Sequence, residues 1–277
     1  MPLRFRPEIQ KMLREVTENG IRYMSSPLLP VKNVFTTRFG GVSTGEFSSM
    51  NLGSNRGDDA EAVRENYTRL CALFGVGPDD ACVTKQVHGS DVRIVTSEDR
   101  HACMSVTPYE ADGIVTGEKG LPLFCFTADC IPVLLADIEG KAAAAVHCGW
   151  RSSVADILLH TVEAMESLGA RRENICAALG PAIGPCCFET DSDVPEAVEQ
   201  YVGAEARSRT CVLQSNAKFL VDLRSANRER LLQLGLKPDH IDVSEECTVC
   251  SHDKYWSHRY TLKNGLKRGS LAAGIML

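Results

Sequence analysis

Three short segments each place a soft or borderline metal ligand beside an apolar run: His88 in "KQVHGSDV", Cys130 in "TADC" and His147 in "VHCGWR". Two imidazoles and one thiolate suit Zn²⁺. Three protein ligands leave the fourth position open to water or substrate, which separates a catalytic zinc site from a structural one. The same side chains support another chemistry, because an imidazole beside a thiol lowers its pKa and Cys130 with His147 then reads as a nucleophile and its base. Their spacing satisfies no local zinc pattern, and by composition alone hydrogen-bonded histidines and an inert buried thiol are the commoner arrangement. If "AAAAVHC" is extended, His147 and Cys148 face opposite sides, so Cys148 is expected to pack in the core and Cys130 to partner His147.

Candidate anion contacts cluster in "VFTTRFGGVSTGEFSSMNLG" (34–53), where Arg38 follows a predicted strand, glycines can turn backbone amides outward and Asn51 can donate a further hydrogen bond. Arg151 stands just beyond the His147 strand, next to a predicted helix N-terminus, another anion-friendly position. Other motifs are discounted. "GVSTG" matches a nucleophile elbow but no helix follows it. "CTVCSH" (247–252) is read as a structural loop, with a redox or metal role as the minority alternative, and the vicinal cysteines of "GPCCFE" as packing residues. There is no Walker A loop and no G-x-G-x-x-G, so triphosphate and dinucleotide sites lose support.

The elements that must position these residues are those of a soluble globular chain. Of 277 residues, 44% are hydrophobic and 24% charged, with a net charge of −6. No basic tract offers to neutralise a phosphate backbone, which argues against nucleic acid as a partner. The apolar runs are too short to cross a bilayer, and the charged N-terminus lacks a secretory apolar region, so the cytoplasm is the expected location. In that compartment the twelve cysteines are expected to be mostly reduced and buried.

Apolar periodicity predicts helices over 7–20, 58–75, 152–169 and 221–235, the first through Ile9, Met12, Leu13 and Val16 with Gly20 ending it. Strands are predicted over 33–37, 91–96, 112–116, 121–126, 132–137, 142–148, 174–180 and 240–244, several of them apolar throughout, as expected of strands covered on both faces. The interleaving lacks strict βαβ alternation. The expected fold is therefore α/β, one domain of mixed β-sheets flanked by helices, with residues 1–30 as a helical extension and 31–277 as the core.

"TTRFGGVSTGEFSSMNLG", "KQVHGSDV", "ADGIVT", "TADCIPVLLAD", "AAVHCGWR", "LGPAIGPCCFE" and "CTVC" resemble, in order, the motifs of the YfiH/laccase-domain family, also described as multicopper polyphenol oxidases or FAMIN-type purine nucleoside phosphorylases. The resemblance runs from about Val34 to the C-terminus. It implies a YfiH-like fold and a zinc centre at His88, Cys130 and His147. It also implies phosphorolysis of adenosine, inosine, guanosine and methylthioadenosine, with adenosine deamination, so that a nucleoside and phosphate are the partners. The older laccase label implies copper, and a bacterial branch implies editing of peptidoglycan precursors by a hydrolase. Seven histidines are few for a multicopper oxidation chain, so zinc is favoured over copper. An open zinc position can activate water for deamination. Arg38 and Arg151 would hold phosphate, and Asp129, next to Cys130, is the candidate general acid or base, with ligand orientation as its alternative. The chain departs from the family in having Ser152 where "GWRG" is usual, Tyr260 where a second tail arginine is usual, and a longer segment before Cys130.

Overall fold

The computed structural model describes residues 13–105, 107 and 109–277. In chain order the strands are β1 (Arg14–Glu18), β2 (Ile21–Ser25), β3 (Lys32–Thr36), β4 (Val92–Ile94), β5 (Gly113–Thr116), β6 (Leu123–Thr127) and β7 (Ile131–Asp137). They continue with β8 (Ala143–Cys148), β9 (Ile175–Leu179), β10 (Glu189–Thr190), β11 (Cys211–Leu213), β12 (Phe219–Val221), β13 (Ile241–Val243) and β14 (Leu271–Met276). The helices are α1 (Ala60–Ala72), α2 (Trp150–Val154), α3 (Ile157–Ser167), α4 (Asp193–Val202), α5 (Ala204–Thr210), α6 (Leu223–Gln233) and α7 (His258–Asn264).

An antiparallel five-stranded sheet runs β1-β2-β3-β14-β6, and a six-stranded mixed sheet runs β13-β9-β7-β8-β5-β4. A small sheet, β10-β12-β11, accompanies them. Side-chain alternation explains how the two large sheets stack. Along β7, Val133 and Leu135 join α3 and α6 residues such as Ile157, Leu158 and Leu231, whereas Leu134 and Ala136 join Phe35, Leu123 and Ala273 of the other sheet. In β8, Ala144, Val146 and Cys148 face the helices while Ala143 and Ala145 face the sheet. The alanine run lets both neighbours approach closely. The outer face of the five-stranded sheet is covered by Val63, Tyr67 and Leu70 of α1. The result is four layers, helix–sheet–sheet–helix, a mixed α/β architecture as the sequence pattern implied.

Two helix expectations fail. In the segment 7–20, residues 1–12 lie outside the described residues, and 14–18 form β1 of the sheet rather than part of a helical extension. Asn19 and Gly20 both have positive φ, at 51° and 78°, and Glu18 pairs with Ile21. That is a two-residue Asn-Gly hairpin turn, so Gly20 reverses a strand instead of ending a helix. The segment 152–169 is two helices, broken at Asp156, whose φ is 64° and whose carboxylate is held by Arg230. The other predicted helices and strands form within a few residues of their expected limits. None of the twelve cysteines is in a disulfide and eight are buried. Among the described residues no helix is long and apolar enough to cross a membrane.

Candidate metal and active site

Strand direction brings the chemistry to one end of the six-stranded sheet. Cys130 precedes β7, which runs antiparallel to β8, so Ile131 pairs with Cys148 and Pro132 with His147. Asp112 precedes β5, which is also antiparallel to β8, with Gly113 opposite Val146. His88 lies in the loop before β4, which runs parallel to β5. Four separate strand ends thus converge. The ligand atoms of His88, Cys130 and His147 all lie within 4.8 Å of one another. Cys130 Sγ is 3.8 Å from His88 Nε2, and the two imidazoles meet edge to face at 4.8 Å. Cys148 is buried among the helix-facing core residues, as the alternation predicted.

Asp112 organises the cluster, and sequence reasoning passed over it as part of a strand motif. Its carboxylate accepts hydrogen bonds from the amides of Val87, His88 and Gly89 at 3.0, 3.0 and 2.8 Å, fixing the His88 loop. It also meets His147 Nδ1 at 2.7 Å, leaving Nε2 as that ring's ligand atom. Burial raises the Asp112 pKa, but the His147 contact and the loop amides outweigh it and hold it below the ordinary carboxylate value. Burial opposes ionisation of both His147 and Cys130, yet their partners prevail: Asp112 and then Cys130 raise His147 to about 9, while His147 and then His88 lower Cys130 to about 6. Free of metal, these opposite shifts favour a thiolate–imidazolium pair. Gly149 completes the shape, since a Cβ there would stand 2.9 Å from His88 Cδ2 and 3.4 Å from Cys130 Sγ.

The three residues line a cleft of about 440 Å³, together with Asn55, Arg56, Tyr67, Phe126, Arg268 and Ser270. Arg268 is pushed below the ordinary arginine value by burial and then by the Arg56 guanidinium beside it. Among the described residues neither arginine has an ion-pair partner. Two guanidiniums without an ion-pair partner in one cleft suit an anion. Neither stands out by residue type or spacing, because a lone arginine is ordinarily a solvated surface residue and folding alone brings residues 56 and 268 together.

The anion contacts expected from sequence stand elsewhere. Arg38 stacks on Trp256 at 3.8 Å and donates to the carbonyls of Ser48 and His252, lining a separate cavity of about 100 Å³. Arg151 is exposed on α2, its guanidinium over the Trp150 ring at 4.2 Å. Asn51 is buried and shapes the cleft only from behind, accepting from the amides of Gly53 and Ser270 and donating to Asp58. Asp129 is buried with φ at 91°, and its two oxygens accept from Thr248 Oγ1 and the Arg259 amide, each at 2.6 Å. Those bonds shape the turn that presents Cys130. Ser152 is buried inside α2, away from the cleft lining.

Residues 32–277 match the family model described as multi-copper polyphenol oxidoreductase laccase. The purine nucleoside phosphorylase of Deinococcus radiodurans is 38% identical over 234 residues, covering 84% of this chain and 86% of that protein. The purine nucleoside phosphorylase of Bacteroides thetaiotaomicron is 32% identical over 255 residues, covering 89% and 92%. Among solved structures, YlmD from Geobacillus stearothermophilus superposes with a TM-score of 0.85 at 29% identity, covering 96% of this chain and 99% of that one. The Bacillus licheniformis protein YfiH superposes with a TM-score of 0.87 at 26% identity, covering 97% and 100%. With its His/Cys cluster at the head of the shared fold, the chain belongs to the laccase-like YfiH family of multi-copper polyphenol oxidoreductase description, whose relatives carry the name purine nucleoside phosphorylase.

Proposed function

We propose that this cleft phosphorolyses purine nucleosides (adenosine, inosine, guanosine and methylthioadenosine) and also deaminates adenosine, with zinc held by His88, Cys130 and His147. One observation carries the reading: the three-ligand cluster and the unpaired Arg56 and Arg268 guanidiniums share a single cleft of nucleoside size. The names of the relatives support it. The donor set also fits the metal. Two imidazoles and a soft thiolate suit zinc better than calcium or magnesium, and a carboxylate-backed histidine is the usual support for a zinc ligand. Zinc bound there supplies Lewis-acid polarisation and activation of water.

The chain's own residues do the rest. Arg56 and Arg268 neutralise phosphate and orient one oxygen toward the sugar C1′. The bond from C1′ to the purine nitrogen breaks as the new C–O bond forms, and its electron pair leaves on the base. Tyr67 and Phe126, edge to face at 5.8 Å, form an apolar wall that shields this step from water. Asp129 acts by positioning Cys130, since both its oxygens are already engaged.

A second reading has its own support. Asp112, His147 and Cys130 form the acid–base–nucleophile series of a thiol hydrolase, which would act on amides or cell-wall precursors without metal. The purified protein should release purine base from adenosine or inosine only when phosphate is present, with ribose 1-phosphate as co-product. Cys130→Ala or His88→Ala should abolish release. Turnover indifferent to phosphate and to exhaustive chelation, but lost on thiol alkylation, would favour the hydrolase.

A further inference from the structure

A second cysteine cluster lies outside the cleft. The sulfurs of Cys186, Cys187, Cys247 and Cys250 all lie within 4.8 Å of one another, although two loops supply them. Cys250 Sγ is 3.5 Å from Cys186 Sγ and 3.5 Å from Cys187 Sγ. In a tetrahedral zinc site with Zn–S bonds of about 2.3 Å, the sulfurs stand about 3.8 Å apart. A disulfide would need about 2.05 Å. Core packing, expected from sequence for the vicinal pair, does not account for the group: Cys186 and Cys250 are exposed and Cys187 is half-buried.

The surrounding backbone is built around sulfur. The Gly184 amide donates to Cys247 Sγ at 3.2 Å. A Cβ on Gly184 would stand 3.1 Å from Cys247 Cβ and 3.3 Å from Cys186 Sγ, so a side chain there would crowd the cluster. The C-x-x-C segment closes on itself through the Ser251 amide to the Cys247 carbonyl, at 2.9 Å.

We propose that Cys186, Cys187, Cys247 and Cys250 form a closed tetrathiolate site for a structural zinc ion. Four protein sulfurs leave no open position, so the ion is a clamp and not a reagent. What it clamps is the turn carrying Cys130. Thr248, between two of the ligands, donates to Asp129 Oδ1 at 2.6 Å. The Cys187 carbonyl accepts from Arg259 Nη1 at 3.1 Å, and the Arg259 amide donates to Asp129 Oδ2 at 2.6 Å. The ion would tie the 183–188 and 247–250 loops together behind the catalytic cleft.

The test uses the full chain carrying His88→Ala and Cys130→Ala together, which dismantles the cleft's ligand set. After purification with added Zn²⁺, elemental analysis should find about one zinc per chain in this variant and about two in the parent. X-ray absorption at the zinc edge of the variant should show a shell of four sulfurs at about 2.3 Å. Adding Cys250→Ser, at an exposed position, should remove that zinc while the circular dichroism spectrum stays that of the parent. If this triple variant does not fold, the absorption spectrum of the double variant still decides. A folded double variant without zinc, a zinc shell of nitrogen and oxygen, iron in place of zinc, or a protein mass showing a disulfide among these cysteines would each overturn the proposal.

Discussion

Cys130 and His147 hold opposite proton balances, and this separates reactivity from stability. The Cys130 pKa is depressed from 9.0 to about 6, so taken alone it stabilises the fold fully above pH 9.0 and loses that stabilisation as pH falls through about 6. The His147 pKa is raised from 6.5 to about 9, so its contribution is complete below pH 6.5 and lost as pH rises through about 9. Between those limits the folded pair and the unfolded pair bind the same number of protons, and the two slopes cancel. Metal-free protein should therefore show a Cys130-dependent alkylation rate rising with a midpoint near pH 6, measured against Cys130→Ala, while the pair leaves stability flat from pH 6.5 to 9. A midpoint near 9 would sink the ion pair. Burial and the Arg56 guanidinium disfavour the charge of Arg268, Cys130 and Asp129 offset only part of this, and an arriving anion would offset the rest. Arg268→Ala should raise the phosphate KM roughly tenfold or more, the worth of one charge-assisted hydrogen bond, with a smaller change in the nucleoside KM. Equal rises in both constants would argue that the arginine shapes the cleft without contacting phosphate.

Elements matter here through their ends. The starts of β5 and β7, the end of β8 and the loop before β4 meet because alternating antiparallel and parallel pairings carry all four to one side of the sheet. Gly149 follows β8 at this junction with φ of −68°, a backbone that alanine adopts freely, so Gly149→Ala introduces crowding and no backbone strain. Occupancy of the cleft's zinc and phosphorolysis should fall at least about tenfold in that variant, total zinc dropping from about two to about one per chain, with a melting temperature within a few degrees of the parent. Unchanged zinc and turnover would refute the crowding. The strands that make this junction were legible in the sequence because β7, β8 and β9 are apolar but for Asp137 and His147, a pattern that strands buried on both faces impose. The three residues of the His/Cys cluster were legible through their motifs. Asp112 was not, since one acidic residue before a glycine carries no periodic signal and its carboxylate's four partners come from two distant segments of chain. β1 was missed because Met12, Leu13 and Val16 mimic a helical stripe, while its pairing with β2 depends on the Asn19–Gly20 turn.

At the scale of the whole molecule, the two stacked sheets make stability and chemistry separable. Leu134 lies in β7 between the sheets, buried with Phe35, Leu123 and Ala273, and Cys130 leads into the same strand. Leu134→Ala would leave a cavity that the alanine-rich neighbour β8 cannot fill, at a cost of about 2–5 kcal/mol. A domain in the middle or upper part of the usual range of about 5–15 kcal/mol stays folded at room temperature after such a loss. For a chain of this size the melting temperature should drop by roughly 5–15 °C. The strand ends are held by backbone pairing with β8 and β9 and by the Asp112 hydrogen bonds, none of which involves the Leu134 side chain. Zinc content and kcat below the new transition should therefore stay near those of the parent. Gly149→Ala and Leu134→Ala thus form an opposed pair, one losing metal and turnover at nearly constant stability, the other losing stability at nearly constant turnover. Calorimetry, zinc analysis and steady-state assays on the two proteins together test that separation. A Leu134→Ala protein that lost its zinc well below its melting temperature would show that the inter-sheet core sets the ligand geometry directly.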